Sequence, residues 1–201
     1  GAGVPFIDLP KYNTYTICNL RGGIGKTTIT VNLTAFANDM LVVDACPQGN
    51  TSFFFDNTYY QNTSLSTYDL LIPYVFSGLG HAQKIAKNVN ASNDNYDRGI
   101  FYIPSSESLY LFPSQLANAL SQAITLPVNN RQKAIISILN SLKIEVHRES
   151  KETNTKKILI DSSPFFSGAT HLAWHACDAL IVPVRTDEQS IKSFELLLKI
   201  I

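Results

Sequence analysis

Charge is scarce in this sequence and evenly split. Lys and Arg number 16 and Asp and Glu number 16, together 16% of 201 residues, so the formal net charge is zero. A body without excess positive charge argues against a dedicated nucleic-acid binder and leaves room only for a local basic patch. Also missing is any apolar run approaching the roughly 18 residues of a membrane span, and no signal-peptide pattern is visible. The three cysteines, Cys18, Cys46 and Cys177, are odd in number and form no short pairing motif. They read as reduced thiols of a cytosolic protein, not as a disulfide framework. No internal repeat and no linker between two domains is apparent.

Apolar residues are plentiful at 45%, enough to fill a core. The length suits one α/β domain spanning 1–201. The opening Gly1-Ala2-Gly3, without an initiator methionine, reads as an added scar. The glycosylation triplets at Asn62 and Asn90 read as coincidence in an asparagine-rich chain.

Short β-branched runs alternate with longer helical ones, the pattern of a mostly parallel sheet flanked by helices on both faces. Strands are expected at 15–18, 41–45, 99–104, 157–161 and 179–184. Helices are expected after the glycine-rich stretch at 22–25, near 66–76, over 107–123, over 130–147 and from 188 to the end. Ile29, Leu33, Phe36 and Met40 are spaced as one apolar stripe of the first helix. Residues 88–97 read as a solvated turn region and 149–157 as a charged loop.

Chemistry concentrates in "TICNLRGGIGKTTITVNL", residues 16–33. Gly22, Gly23 and Gly25 permit backbone N–H groups to turn inward, and the next helix adds its positive end. Lys26 can reach the outer phosphates of a nucleotide, Thr27 can ligate magnesium, and Thr28 sits near the α-phosphate. Asp161, closing the strand "KILID", stands where such a loop needs a carboxylate for the metal. Leu20, however, occupies the place where a general P-loop carries its first glycine, and Arg21 follows it.

"RGGIGKTT", "VVDACPQGNTS" and "ILIDSSP" resemble the three nucleotide motifs of the ParA-type partition ATPases, the deviant Walker A group that includes MinD. "STYDLL", "GIFYIPSS" and "DALIVPV" extend the resemblance over most of the chain. That family lacks a glycine at the Leu20 position, so the odd loop is a family trait. The resemblance implies a P-loop NTPase fold and a nucleotide site of Arg21, Gly22, Gly23, Ile24, Gly25, Lys26, Thr27 and Thr28 for ATP or ADP. It implies Mg2+ held by Thr27, Asp161 and Asp44, and a catalytic set of Asp44, Lys26 and Arg21. Asp44 would orient the attacking water, and the cation at position 21 would reach a partner's phosphates in an ATP-dependent homodimer. A partner protein that stimulates hydrolysis, non-specific DNA, a cytoplasmic and nucleoid-associated location, and a role in partition or cargo positioning are implied with it. Arg21 departs from the family's lysine, Cys46 from the second aspartate of Asp-x-Asp-Pro-Gln, and Ser163 from a common proline. The chain ends after its last helix, where relatives continue.

Blander readings stand beside these. Asp44 as a strand-end cap competes with Asp44 as a catalytic group. A weakly hydrolysing adaptor is kept open by Arg21 and Cys46, whereas a MinD-like membrane switch lacks the basic amphipathic tail it needs. His171 and His175, four apart, read as helix-packing residues before zinc ligands. Cys18 and Cys46 read as small residues packed beside the loop. Phe53, Phe54, Phe55, Tyr59 and Tyr60 make either a partner surface or a loop cluster. Lys84, Lys87, Lys156 and Lys157 read as solvated surface before phosphate contacts.

Overall fold

Side chains alternate across a strand, and in Met40–Asp44 (β2) that alternation serves two layers at once. Leu41 and Val43 enter the larger core, while Val42 enters a smaller one on the opposite face. A strand buried on both faces needs helices on both sides, as the unbroken run "LVV" predicts. The computed structural model describes residues 11–61, 65–78, 80, 83–164 and 168–200. The readings at Gly1–Gly3 and Asn62 lie outside them.

In chain order, Thr14–Ile17 (β1) leads into Lys26–Ala35 (α1), and β2 into Asn50–Phe55 (α2) and Thr67–Ser77 (α3). Lys87–Asn88 (β3) and Ile100–Ile103 (β4) follow, then Phe112–Thr125 (α4), Val128–Leu139 (α5) and Ser141–Thr153 (α6). Lys157–Asp161 (β5), Ala169–Ala176 (α7), Ala179–Ile181 (β6) and Glu188–Ile200 (α8) complete the series. The sheet order is β3-β4-β2-β5-β1-β6, parallel except for the antiparallel β3–β4 edge. The sequence reading of an α/β fold with a mostly parallel sheet stands. Register pairs Asp44 with Asp161 at the carboxyl ends of β2 and β5, and Ile17 of β1 lies on the other side of Asp161. Ligands of such sheets bind outside those strand ends. Among the described residues no helix is long and apolar enough to cross a membrane.

Several local expectations are corrected. The stripe Ile29, Leu33, Phe36, Met40 is not the buried face of α1. Phe36 is 89% exposed, Leu33 is exposed, and Met40 already belongs to β2. The buried face is Lys26, Thr30, Val31 and Thr34. Thr30 and Thr34 enter the core because their hydroxyls donate to the carbonyls of Lys26 and Thr30, four residues back. The expected helix at 130–147 is two helices, broken at Asn140, whose backbone leaves helical geometry at φ −91°, ψ 3°.

The expected charged loop at 149–157 is largely the end of α6, with Glu149 fully buried. Its carboxylate accepts from the Ile85 and Ala86 amides and from Arg148, tying the 83–86 segment to the helix. Polarity suggested a loop, but a buried carboxylate with three donors is satisfied where it is. Likewise, the solvated turn at 88–97 holds the buried Val89 and Tyr96, and the Tyr96 ring meets Phe55 edge-on at 5.2 Å.

Candidate functional site

Gly23 (φ 67°) and Gly25 (φ 96°) take the left-handed backbone that lets the loop after β1 curl over the start of α1. No side chain caps α1, so its first amides face the loop's hollow, a ready anion site. The cleft there measures about 480 Å3 and is lined by Leu20, the 22–28 loop, Cys46, Gln48, Asn50, Asp161, Ser162 and Pro164. The sequence-expected nucleotide residues Gly22, Gly23, Ile24, Gly25, Lys26, Thr27 and Thr28 therefore share one wall.

Lys26 is buried, and its Nζ donates to the carbonyls of Asn19 (3.3 Å) and Arg21 (3.2 Å). Burial pulls its pKa down, and the nearby Asp161 carboxylate opposes that pull. Thr27 Oγ1 donates to Asp161 Oδ2 at 3.1 Å, and Thr51 Oγ1 donates to the same oxygen at 2.5 Å. Two hydroxyls on one buried carboxylate at the mouth of an anion site form the hard oxygen set that suits magnesium. Thr27 and Asp161 are the residues that would hold it. Burial raises the Asp161 pKa against these hydrogen bonds and Lys26, so an added cation would relieve an uncompensated cost.

Asp44 is brought close but not into the cleft. It is 1% exposed and does not line the cleft. Its Oδ1 accepts from the Cys46 amide (3.1 Å), and Oδ2 accepts from the Ser52 amide and hydroxyl (2.8 Å each). Burial, and next the neighbouring Asp161, push its pKa well up. In this geometry Asp44 accepts three hydrogen bonds from the 46–52 segment and stands behind the cleft wall. What Asp44 does is pin the 46–52 segment, whose Cys46, Gln48 and Asn50 do line the cleft. Burial pushes the Cys46 thiol up to about 11, so at neutral pH this wall offers a protonated thiol and no carboxylate.

Arg21 also lies outside the cleft lining. Its side chain turns to the start of α8, where Nη1 meets Asp187 and Ser190. Sequence reading missed this contact, and also Thr51 and Arg185, whose Nη2 donates to the Gly23 carbonyl at 2.8 Å. The readable signal for Asp187 is an aspartate directly before a helix with serine three residues on. Thr51 carried none beyond its place after "PQGN".

The other candidates settle elsewhere. His171 and His175 are exposed on α7 and not packed as expected, and His171 lies edge-on to Trp174 at 5.6 Å. Among the described residues no group of three or more His, Cys, Asp or Glu is placed to hold a metal. Cys18 and Cys46 are buried free thiols beside the loop. Phe55 is core, while Phe53, Phe54 and Tyr60 are exposed, with Phe53 and Tyr60 stacked at 6.5 Å. Lys84 sits over the Phe101 ring, Lys156 pairs with Asp39, and Lys157 bonds to Tyr12 and Asn13.

The family model described as "AAA domain" matches residues 12–201, from just before β1 to the chain end. The chain belongs to this AAA domain family. Its loop, with Leu20 in place of glycine and a cation ahead of the glycine pair, resembles the ParA/MinD type. This AAA domain is 26% identical over 187 residues to the uncharacterized protein MJECL24 of Methanocaldococcus jannaschii, an alignment that covers 91% of this chain and 62% of that one. It superposes on the solved protein DIP2308 of Corynebacterium diphtheriae with a TM-score of 0.75 at 19% identity, covering 93% and 65% of the two chains. A plasmid partition protein of Borrelia burgdorferi, described as putative and bound to AMPPNP, matches at 0.57 and 17%, covering 94% and 70%. The chain therefore spans under two thirds of the length of the first two proteins it matches.

Proposed function

We propose that this chain binds Mg-ATP and hydrolyses it as a ParA-like switch, pairing with a second copy when ATP is bound. One observation carries the reading. Lys26, Thr27 and Asp161 converge at the open amino end of α1, beneath a loop whose glycines are set for phosphate. The resemblance to partition ATPases, and the AMPPNP held by the Borrelia burgdorferi protein, support ATP as the ligand. We extend the reading to one domain over 1–201, a partner protein that speeds turnover, non-specific DNA as a track, and partition or cargo positioning as the task.

In this scheme the loop amides and Lys26 cradle the β- and γ-phosphates, and Thr27 and Asp161 hold magnesium. The metal supplies charge neutralisation at the transferring phosphoryl group. Asp44 acts through the 46–52 segment, which it holds against the cleft. Arg21, released from the start of α8, serves the second copy's phosphates.

A second reading, an ATP-holding adaptor that turns over slowly, is favoured by the wall itself. Asp44 is sealed behind it, and Cys46 offers no base at neutral pH. Turnover of the wild type with and without double-stranded DNA separates the two: stimulation by DNA supports the partition switch, and a flat low rate supports the adaptor. Cys46→Asp places a carboxylate beside the reacting phosphate. It is expected to raise the basal rate by on the order of 100-fold, the low end of general-base effects. An unchanged rate would show that the wall at position 46 does not limit turnover.

A further inference from the structure

Arg21 is held in this form. Its Nη1 donates to Asp187 Oδ1 at 2.5 Å and to Ser190 Oγ at 2.7 Å. Asp187 precedes α8 and does a second job there. Its Oδ1 accepts from the Ser190 amide at 2.9 Å, and its Oδ2 accepts from the Ser190 hydroxyl at 3.3 Å, a helix cap. The Ser190 amide, and then Arg21, hold the Asp187 carboxyl below the usual carboxylate range. Two further bonds fasten the same region to the loop: Arg185 to the Gly23 carbonyl (2.8 Å) and Ser193 to Asn19 (2.9 Å).

We propose that Asp187 is a positioning residue that parks Arg21 on α8, so that Arg21 reaches a second copy's phosphates only by leaving this carboxylate. The proposal rests on the ATP-dependent dimer proposed above. The pair is half open to solvent, with side-chain exposures of 27% for Arg21 and 42% for Asp187. Such pairs are weak, so the arginine is restrained without being trapped. A triphosphate from a second copy offers more negative charge and a planar two-oxygen contact that suits guanidinium. ADP ends one phosphate short, and against it the carboxylate keeps its hold. Each departure of Arg21 removes an ion pair from the first turn of α8, while Arg185 and Ser193 keep that helix tied to the loop. Nucleotide state is thereby read at α8.

Asp187→Asn isolates the effect, because asparagine caps helices as well as aspartate does but carries no charge toward Arg21. With a slowly hydrolysed ATP analogue at low salt, Asp187→Asn is expected to dimerise at roughly 2- to 20-fold lower protein concentration than the wild type, with one weak pair released per subunit. Affinity of the monomer for ADP is expected to stay within about 2-fold, as Asp187 does not line the cleft. The gap between the variants is expected to close in about 1 M salt, where such pairs are screened. Equal dimerisation at low salt, weaker dimerisation by Asp187→Asn, or a gap indifferent to salt overturns the proposal. If no variant dimerises, Arg21 has no second phosphate to leave for, and the parking role falls with the dimer. Retained nucleotide binding in the same titration would keep the phosphate-loop reading standing.

Discussion

Lys26→Ala is expected to lower ATP and ADP affinity by on the order of 100-fold or more, since the ammonium supplies two or more charge-assisted hydrogen bonds to phosphate. The side chain sits at the amino end of α1, buried, and spans back to the carbonyls of Asn19 and Arg21. Those two bonds are long, at 3.3 and 3.2 Å, so swinging the ammonium from carbonyls to phosphate exchanges weak partners for strong ones. The fold should tolerate the change, because burial already lowers the pKa of this lysine and its charged form is paid for only in part by Asp161. Calorimetric titration of nucleotide, with a melting curve as control, reads both. Near-normal affinity in a folded variant would remove the phosphate-loop assignment.

Arg21→Ala should behave differently from Lys26→Ala although only four residues separate them. The arginine does not line its own cleft, and its guanidinium faces α8. Affinity of the monomer for ATP is expected to stay within a few-fold. Dimerisation with a slowly hydrolysed ATP analogue is expected to be lost, and turnover to fall by on the order of 1,000-fold, the low end for an arginine supplied in trans. Arg21→Lys is expected to recover much of both, because the charge is kept while the planar fork is lost. Loss of ATP binding as complete as in Lys26→Ala would make Arg21 an ordinary part of the loop. Normal dimerisation by Arg21→Ala would also exclude the cross-subunit role.

Local chemistry explains what the sequence made legible. "KILID" is found as β5 at 157–161, and the loop from Gly22 to Thr28 forms the cleft wall, because a phosphate loop is built from consecutive residues with fixed backbone needs. Where a reading depended on which way a side chain turns, periodicity misled. In α1 the threonines Thr30 and Thr34 displaced Leu33 and Phe36 from the core by satisfying their hydroxyls on the helix's own carbonyls. Glu149 looked like a loop residue because its partners, Ile85 and Ala86, lie more than sixty positions earlier. Asp44 was found at its strand end, yet the turn of its carboxyl toward Ser52 depends on α2, which polar composition had concealed. The clasp of Arg21 by Asp187 joins residues 166 positions apart, so the local cap signal at Asp187 does not reveal its partner.

ATP, and not ADP, is expected to assemble two copies of this chain. Sedimentation velocity on the wild type reads this, at one protein concentration with magnesium and either a slowly hydrolysed ATP analogue, ADP or no nucleotide. A species of twice 22.2 kDa is expected with the ATP analogue, and 22.2 kDa in the other two samples. One mass in all three, with nucleotide binding intact by titration, would contradict it.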